Sequence, residues 1–463
     1  MKYISTRNKS LELTSAEAIV KGISDEGGLF VPSVIPKLSD AELNSMKNMP
    51  YKDRAYLVLS KFLTDFTPEE LKHCTDNAYA SQWDTENIYE LNKLNDNTLM
   101  LELWHGPTSA FKDMALQILP YLLTTAAKKT GLNKEILILT ATSGDTGKAA
   151  LEGFKDVPHT RIIVFYPDKG VSDVQKLQMT STGGKNTLVC GVRGNFDDCQ
   201  TAVKQVFTDN AVKEILSDKG IVFSSANSIN WGRLAPQIAY YVSAYVDLLA
   251  RGEVSKGEKI NVCVPTGNFG NILAAYYAKE MVMPINKLIC ASNKNRILTD
   301  YITTGLYDTN REFYTTISPS MDILISSNLE RMNYILFGEN SAGNKTEKLS
   351  ELFIAGSADD EKTKKTIKQV WDDYSYLVDT HTAVALSVLG DVRKSLSENE
   401  NLKTIVASTA NPYKFENAVS AALGFDTKET GVPIPAPLKN LPESRFFDII
   451  DSDGIRDYVL NYI

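Results

Sequence analysis

The chain has 463 residues, 43% hydrophobic and 23% charged, with a formal net charge of −8. This length suits two or three domains with a large core, and the acidic balance argues against nucleic acid or an anionic membrane as partner. Five cysteines without a CxxC pair and four scattered histidines give no metal-ligand pattern and read as inert thiols in a reducing compartment. The opening MKYISTRNKS is polar, with no apolar stretch behind it, and no run approaches the roughly eighteen apolar residues of a membrane span. A cytoplasmic protein with no membrane partner is therefore expected.

In chain order, Ser15 to Gly22 predicts a short helix, and GGLFVPSVIPKL predicts a short strand among turns set by Gly27, Gly28, Pro32 and Pro36. Met114 to Lys129 is apolar at helical spacing and ends at Gly131. Four strand–helix alternations follow. Strands are expected at 135–142, 161–167, 187–192 and 221–226, and helices at Thr146–Phe154, Val174–Thr180, Asp197–Thr208 and Leu234–Ala250. A second series places strands at 260–267, 287–293 and 402–410, with helices at Asn271–Met281, Glu361–Tyr376, Thr382–Leu396 and Lys414–Leu423. Residues 294–350 are polar and aperiodic and are expected to form a surface excursion. Continuous apolar strands alternating with helices indicate an α/β fold whose parallel sheet is covered on both faces. In such sheets the chemistry lies beyond the carboxyl ends of the strands.

Those ends carry the unusual segments. TGNFGN, Thr266 to Asn271, joins a strand to a helix and can turn several backbone amides toward a phosphate. ATSGDTGKAA offers Ser143, Gly144, Asp145 and Thr146 at a helix start. It fails as a P-loop, because Thr142 stands where glycine is needed and Ala149 where serine or threonine is needed. WHGPTSAFKDMA places Lys112 just inside a helix capped by Thr108 or Ser109, where the dipole would lower the amine's pKa. SANSINWGRLAPQ supplies Asn227 and Arg233 for an anionic group, and STANPYKF supplies the hydroxyls of Ser408 and Thr409. Alone, each segment reads as an ordinary turn or cap. Together they hold what pyridoxal phosphate requires: an amine for the Schiff base, a phosphate cradle and a partner for the ring nitrogen.

HGPTSAFKD, ATSGDTG, NSINWGR and TGNFGN, in that order, resemble the long bacterial and fungal branch of the threonine synthase family, as do KYISTRN and GISDEGGLFVPS near the start. The resemblance implies the tryptophan synthase β-like fold of type II pyridoxal-phosphate enzymes. It implies two parallel-sheet, three-layer domains and an extra N-terminal one. The expected division is 1–92 for the N-terminal domain, 93–130 with 232–463 for the large cofactor domain, and 131–231 for a smaller, mobile domain. It further implies Lys112 as covalent anchor and catalytic residue. Gly267, Asn268, Phe269, Gly270 and Asn271 would bind the cofactor phosphate. Thr409, with Ser408 as rival, would meet the ring nitrogen, and Ser143, Gly144, Asp145 and Thr146 would face the substrate's amino-acid end. Arg233 and Asn227, with Lys176 and Ser172 behind them, are the candidates for the substrate phosphate. The implied activity is that of a carbon–oxygen lyase converting O-phospho-L-homoserine and water to L-threonine and phosphate, in a monomer or homodimer. The alternatives are a related serine or threonine dehydratase and a non-catalytic relative that binds a phosphorylated ligand. The chain departs from many relatives at Asn411, reading TANP where they read TAHP.

Overall fold

Three sheets organise the chain, which the computed structural model describes at residues 1–169, 171–338, 345–395, 402–439, 441–444 and 447–463. In the first, Tyr3–Ser5 lies antiparallel between Glu12–Leu13 and Phe30–Pro32. With the helices Ser15–Lys21, Asp40–Met46, Tyr51–Phe62 and Pro68–Ala78 it makes the extra N-terminal unit. Three of these helices open on capping boxes, Thr14 with Glu17, Ser39 with Glu42 and Thr67 with Glu70. Each box satisfies backbone donors that a helix start otherwise leaves unpaired.

The second sheet runs Phe353–Ser357, Ile285–Ser292, Ile260–Pro265, Thr404–Ser408, Thr98–Glu102, Glu90–Asn95, and only its last pair is antiparallel. The third runs Asp448–Asp451, Thr187–Arg193, Thr160–Pro167, Glu135–Ala141, Ile221–Ser225, all parallel. Successive residues of one strand enter different cores. Leu288 and Cys290 join one and Ile289 and Ala291 another, while Ile136 and Ile138 part in the same way from Leu137 and Leu139. This is the expected consequence of side chains alternating across a sheet covered on both faces, and it accounts for the unbroken apolar runs.

Several elements differ from expectation. The helix expected over Met114–Lys129 is two, Asp113–Leu116 and Leu119–Lys129. Pro120 has no amide to donate and sits in the first turn of the second, where none is needed. A further helix, Asn210–Asp218, opens on the Asp209 carboxylate, which accepts the amides of Ala211 and Val212. Residues 294–350 are no mere excursion, since they contain the helices Ile297–Thr304 and Leu329–Phe337 and most of Lys345–Leu352; residues 339–344 and Leu396 lie outside the described residues. The sheet built from 131–231 takes its edge strand from far outside that range, at Asp448–Asp451. Among the described residues no helix is long and apolar enough to cross a membrane, and no group of three His, Cys, Asp or Glu could hold a metal ion. All five cysteines are free and buried.

Candidate active site

The carboxyl ends of Glu135–Ala141, Ile260–Pro265 and Thr404–Ser408 meet at one pocket. Lys112, Ser143, Asp145, Thr146, Asn227, Arg233, the run Gly267–Asn271 and Thr409 all line it. Gly144 stands behind its neighbours. Its φ is +129°, and a Cβ there would lie 2.5 Å from the Gln175 side chain, so the turn that presents Ser143 and Asp145 requires glycine. A larger cavity of about 1240 Å³ lies against the N-terminal unit and holds none of the candidate catalytic, cofactor or substrate residues; the chemistry selects the smaller pocket.

The Lys112 loop is stitched to the exit of the strand Thr404–Ser408. Phe111 N donates to Thr409 O at 2.8 Å, Asn411 N to Ser109 O at 3.1 Å, and Ala110 bridges Ala410. Lys112 is 9% exposed, with Nζ 3.4 Å from both Asp145 Oδ2 and Ser320 Oγ. The expected origin of its low pKa is corrected. Lys112 is the N-cap of a four-residue helix, too short for a strong dipole, and that helix has no side-chain cap. Thr108 instead donates, through N and Oγ1, to the Asp113 carboxylate, while Ser109 Oγ has no partner. Burial, reinforced by the charges of Arg233 and Lys414, pushes the Lys112 ammonium down toward its neutral form, and Asp145 opposes this.

Asp145 is 1% exposed. Its Oδ1 accepts from Gln175 Nε2 at 2.8 Å and pairs with Lys414 Nζ at 3.1 Å. Burial alone would raise this carboxyl's pKa, but Lys414, Lys112 and the Gln175 hydrogen bond together hold it below the ordinary range, and the group stays ionised. His381, not singled out from sequence, also lines the pocket. Its Nε2 accepts from Ser320 N at 3.1 Å and its Nδ1 faces Asp379 Oδ1 at 2.9 Å, which fixes the ring.

The 266–271 loop forms a cradle. Phe269 takes a left-handed φ of +62° and starts the helix Gly270–Met281 with no side-chain cap, leaving first-turn amides available to an anion. Asn268 Oδ1 and Asn271 Nδ2 are buried without a partner, while Asn271 Oδ1 accepts from Tyr240 and Tyr241. Unfilled donors at an uncapped helix start, opposite a buried amine, fit a phosphorylated aldehyde cofactor such as pyridoxal phosphate. The cradle is propped from behind by the supposed excursion. Ser326 Oγ donates to Gly267 O at 2.8 Å, and Asn328 donates to Asn268 O from N at 3.1 Å and from Nδ2 at 3.2 Å. Arg331, fully buried, donates to Asn328 Oδ1, to the Ser228 and Ile229 carbonyls, and to Phe30 O of the N-terminal unit.

Arg233 is 4% exposed, and its pKa is pushed down to about 10 by burial. Nη1 donates to Ala226 O at 2.5 Å, Nε has no partner, and among the described residues no carboxylate pairs with it. A buried, unbalanced guanidinium lining a pocket is an anion site in waiting. Beside it Asn227 Nδ2 donates to Ala141 O at 2.9 Å. Lys176 and Ser172 do not line the pocket. Lys176 pairs with Asp168 at 3.0 Å, and Ser172 caps the helix Asp173–Thr180. Ser408 Oγ accepts from Trp104 Nε1 at 3.1 Å and from Thr382 Oγ1 at 3.3 Å, whereas Thr409 turns to the pocket. Asn411 caps the turn Pro412–Phe415 by accepting from Tyr413 N at 3.0 Å, a task that needs a short side-chain acceptor and no imidazole.

Comparison with known proteins places the chain in a family. Residues 2–79 match the family model "Threonine synthase N terminus", 87–408 "Pyridoxal-phosphate dependent enzyme" and 382–451 "Threonine synthase, C-terminal". Threonine synthase-like 1 of Macaca fascicularis is 40% identical over 88% of this chain, which spans 58% of that relative's length. The threonine synthase of Pseudomonas aeruginosa is 36% identical over 91% of this chain and 90% of its own. The crystal structure of the pyridoxal-phosphate-bound threonine synthase from Brucella melitensis superposes with a TM-score of 0.86 at 34% identity, covering 100% of this chain and 98% of that one. The chain belongs to the threonine synthase family of pyridoxal-phosphate-dependent enzymes.

Proposed function

We propose that the protein converts O-phospho-L-homoserine and water to L-threonine and phosphate, as a monomer or homodimer in the cytoplasm. One observation carries the reading. A buried amine held toward its neutral form, an uncapped helix start and an arginine that no carboxylate among the described residues pairs with converge in one pocket. Within this reading 1–92 is the N-terminal domain, 93–130 with 232–463 is the large cofactor domain, and 131–231 is the smaller domain, onto whose sheet the large domain's last strand, Asp448–Asp451, adds.

Gly267, Asn268, Phe269, Gly270 and Asn271 would hold the cofactor phosphate, Thr409 would offer its hydroxyl to the ring nitrogen, and Lys112 Nζ would anchor the group covalently. When bound, the cofactor supplies an electron sink for the pair left at the substrate's Cα. Lys112, displaced by the substrate's own amine, would take the Cα proton, remove a Cβ proton as phosphate leaves Cγ, and return protons to Cγ and Cα, with water supplying the Cβ hydroxyl. Its burial biases the amine toward the unprotonated form from which these tasks start. Ser143 and Thr146 orient the substrate's amino-acid end from the turn that Gly144 permits, and Asp145 steadies Lys112. Arg233 and Asn227 hold the substrate phosphate as it departs from Cγ, and water completes the product at Cβ.

Arg233 favours this reading over a serine or threonine dehydratase, whose substrates carry no second anion. The test is a product assay with added cofactor. Threonine and phosphate in equal amounts from O-phosphohomoserine are expected. Ketoacid from serine or threonine, with no phosphate from O-phosphohomoserine, would overturn the reading in favour of a dehydratase. An absorbance spectrum without a cofactor band would favour a ligand-binding relative.

A further inference from the structure

Lys414 is fully buried, and its ammonium donates two hydrogen bonds and makes one ion pair. They reach the Thr108 carbonyl at 2.7 Å, Gln178 Oε1 at 2.8 Å and Asp145 Oδ1 at 3.1 Å. These partners come from separate parts of the chain. Lys414 lies in the turn Pro412–Phe415 after a strand of the larger sheet. Asp145 and Gln178 lie on helices that follow strands of the smaller sheet, and Thr108 belongs to the loop that carries Lys112. The seam is reinforced on both sides. Ser172 Oγ donates to Lys414 O at 3.0 Å, and Gln175 Nε2 donates to Asp145 Oδ1 at 2.8 Å. One carboxylate therefore stands between two buried lysines. A staple between two units could be built from neutral groups without the desolvation cost of a charge, yet here a second cation is kept beside Lys112.

We infer that Lys414 is a positioning residue for Lys112: it holds one oxygen of Asp145, leaves the other facing Lys112 Nζ, and locks the smaller unit against the Lys112 loop. The electrostatics point the same way. The charged and titratable groups around Lys112 are Asp145, Arg233, Lys414, His381 reached through Ser320, and the neighbouring Asp113. Lys414 is among those that disfavour a proton on Lys112, and its charge does most to keep Asp145 ionised. Removing it withdraws a cation and leaves the Asp145 charge to Lys112 alone. Both effects favour protonation of the nitrogen that Lys112 contributes.

The inference rests on the proposed role of Lys112, and it is tested on the cofactor-loaded protein by titrating the cofactor's absorbance band against pH. Lys414→Met is expected to move the midpoint upward by about one unit, and Lys414→Arg, which keeps the charge, to leave it at the wild-type value. A folded Lys414→Met with the wild-type midpoint overturns the inference, as does Lys414→Arg shifting as far as Lys414→Met. Should Lys414→Met fail to fold, Lys414→Gln removes the same charge and keeps a polar side chain for Thr108 and Gln178. The same upward shift is then expected, and no shift overturns the inference. A wild-type protein with no cofactor band would overturn the reading of Lys112 itself, whereas a band that does not respond to Lys414 overturns this inference alone.

Discussion

Gly267→Ala tests whether the cradle is shaped by the segment behind it. A Cβ at 267 would lie 2.6 Å from the Ser320 carbonyl oxygen and 3.4 Å from Met321 Cα. These are backbone atoms in a turn pinned by Met321 N to Ser318 O at 3.0 Å and by Ser320 N to His381 Nε2 at 3.1 Å. The contact falls about 0.8 Å short of ordinary van der Waals separation, an overpacking that costs roughly 1–3 kcal/mol. Where the strain falls on the bound state, cofactor affinity drops about fivefold to 150-fold. Gly390→Ala is the internal control, since a Cβ there meets nothing within 4 Å. Cofactor titration by absorbance, with thermal unfolding alongside, reads both variants. Wild-type affinity and stability in Gly267→Ala would refute the steric argument, and so would an equal loss in Gly390→Ala.

Lys112→Ala should lose the cofactor absorbance band and about 10³-fold or more in turnover; retained turnover would end its assignment. Arg233→Met should raise KM for the phosphorylated substrate by roughly 10- to 100-fold, about 1.5–3 kcal/mol, with kcat less affected. An unchanged KM would remove Arg233 from phosphate binding. Burial pushes the Asp113 carboxyl up to about 6 despite its bonds to Thr108. Because the folded value lies above the ordinary 3.8, its contribution is complete below that pH and is lost as pH rises through about 6. Over that window the wild type should lose up to about 3 kcal/mol relative to Asp113→Asn, read by denaturant unfolding at each pH; parallel curves would refute it.

What the sequence disclosed was set by which groups face apolar surroundings. Runs such as EILILTA and INVCVP are apolar because both faces of their strands are covered, and the pattern names the strand directly. The motif residues were legible for the opposite reason, being polar groups at strand ends with no evident structural task. The segment 294–350 was misread because its polarity serves the protein's interior. Ser326 and Asn328 spend their donors on the cradle's own carbonyls, and Arg331 spends its donors on those of Ser228 and Ile229, a use that looks like solvation when only composition is visible. Lys414 and His381 were hidden likewise. A buried lysine is recognised by its acceptors, and Thr108 and Gln178 lie 306 and 236 residues away. His381 carried a faint local signal in Asp379, two residues before it, but its contact with Ser320 spans 61 residues. The strand Asp448–Asp451 is four residues long and half charged, too short for its period to speak.

That last strand also bears on how the chain is made. It pairs with Thr187–Arg193 and closes one side of the smaller sheet. During synthesis the other four strands of that sheet emerge first, and the partner for Thr187–Arg193 follows roughly 250 residues later, on the order of ten to fifty seconds at ordinary elongation rates. Throughout that interval an apolar edge carrying Val189 and Val192 offers unpaired amides and carbonyls to any passing strand. The nascent protein should therefore be most prone to aggregate, and most in need of a chaperone, when the smaller sheet is nearly built and its last strand is still unmade.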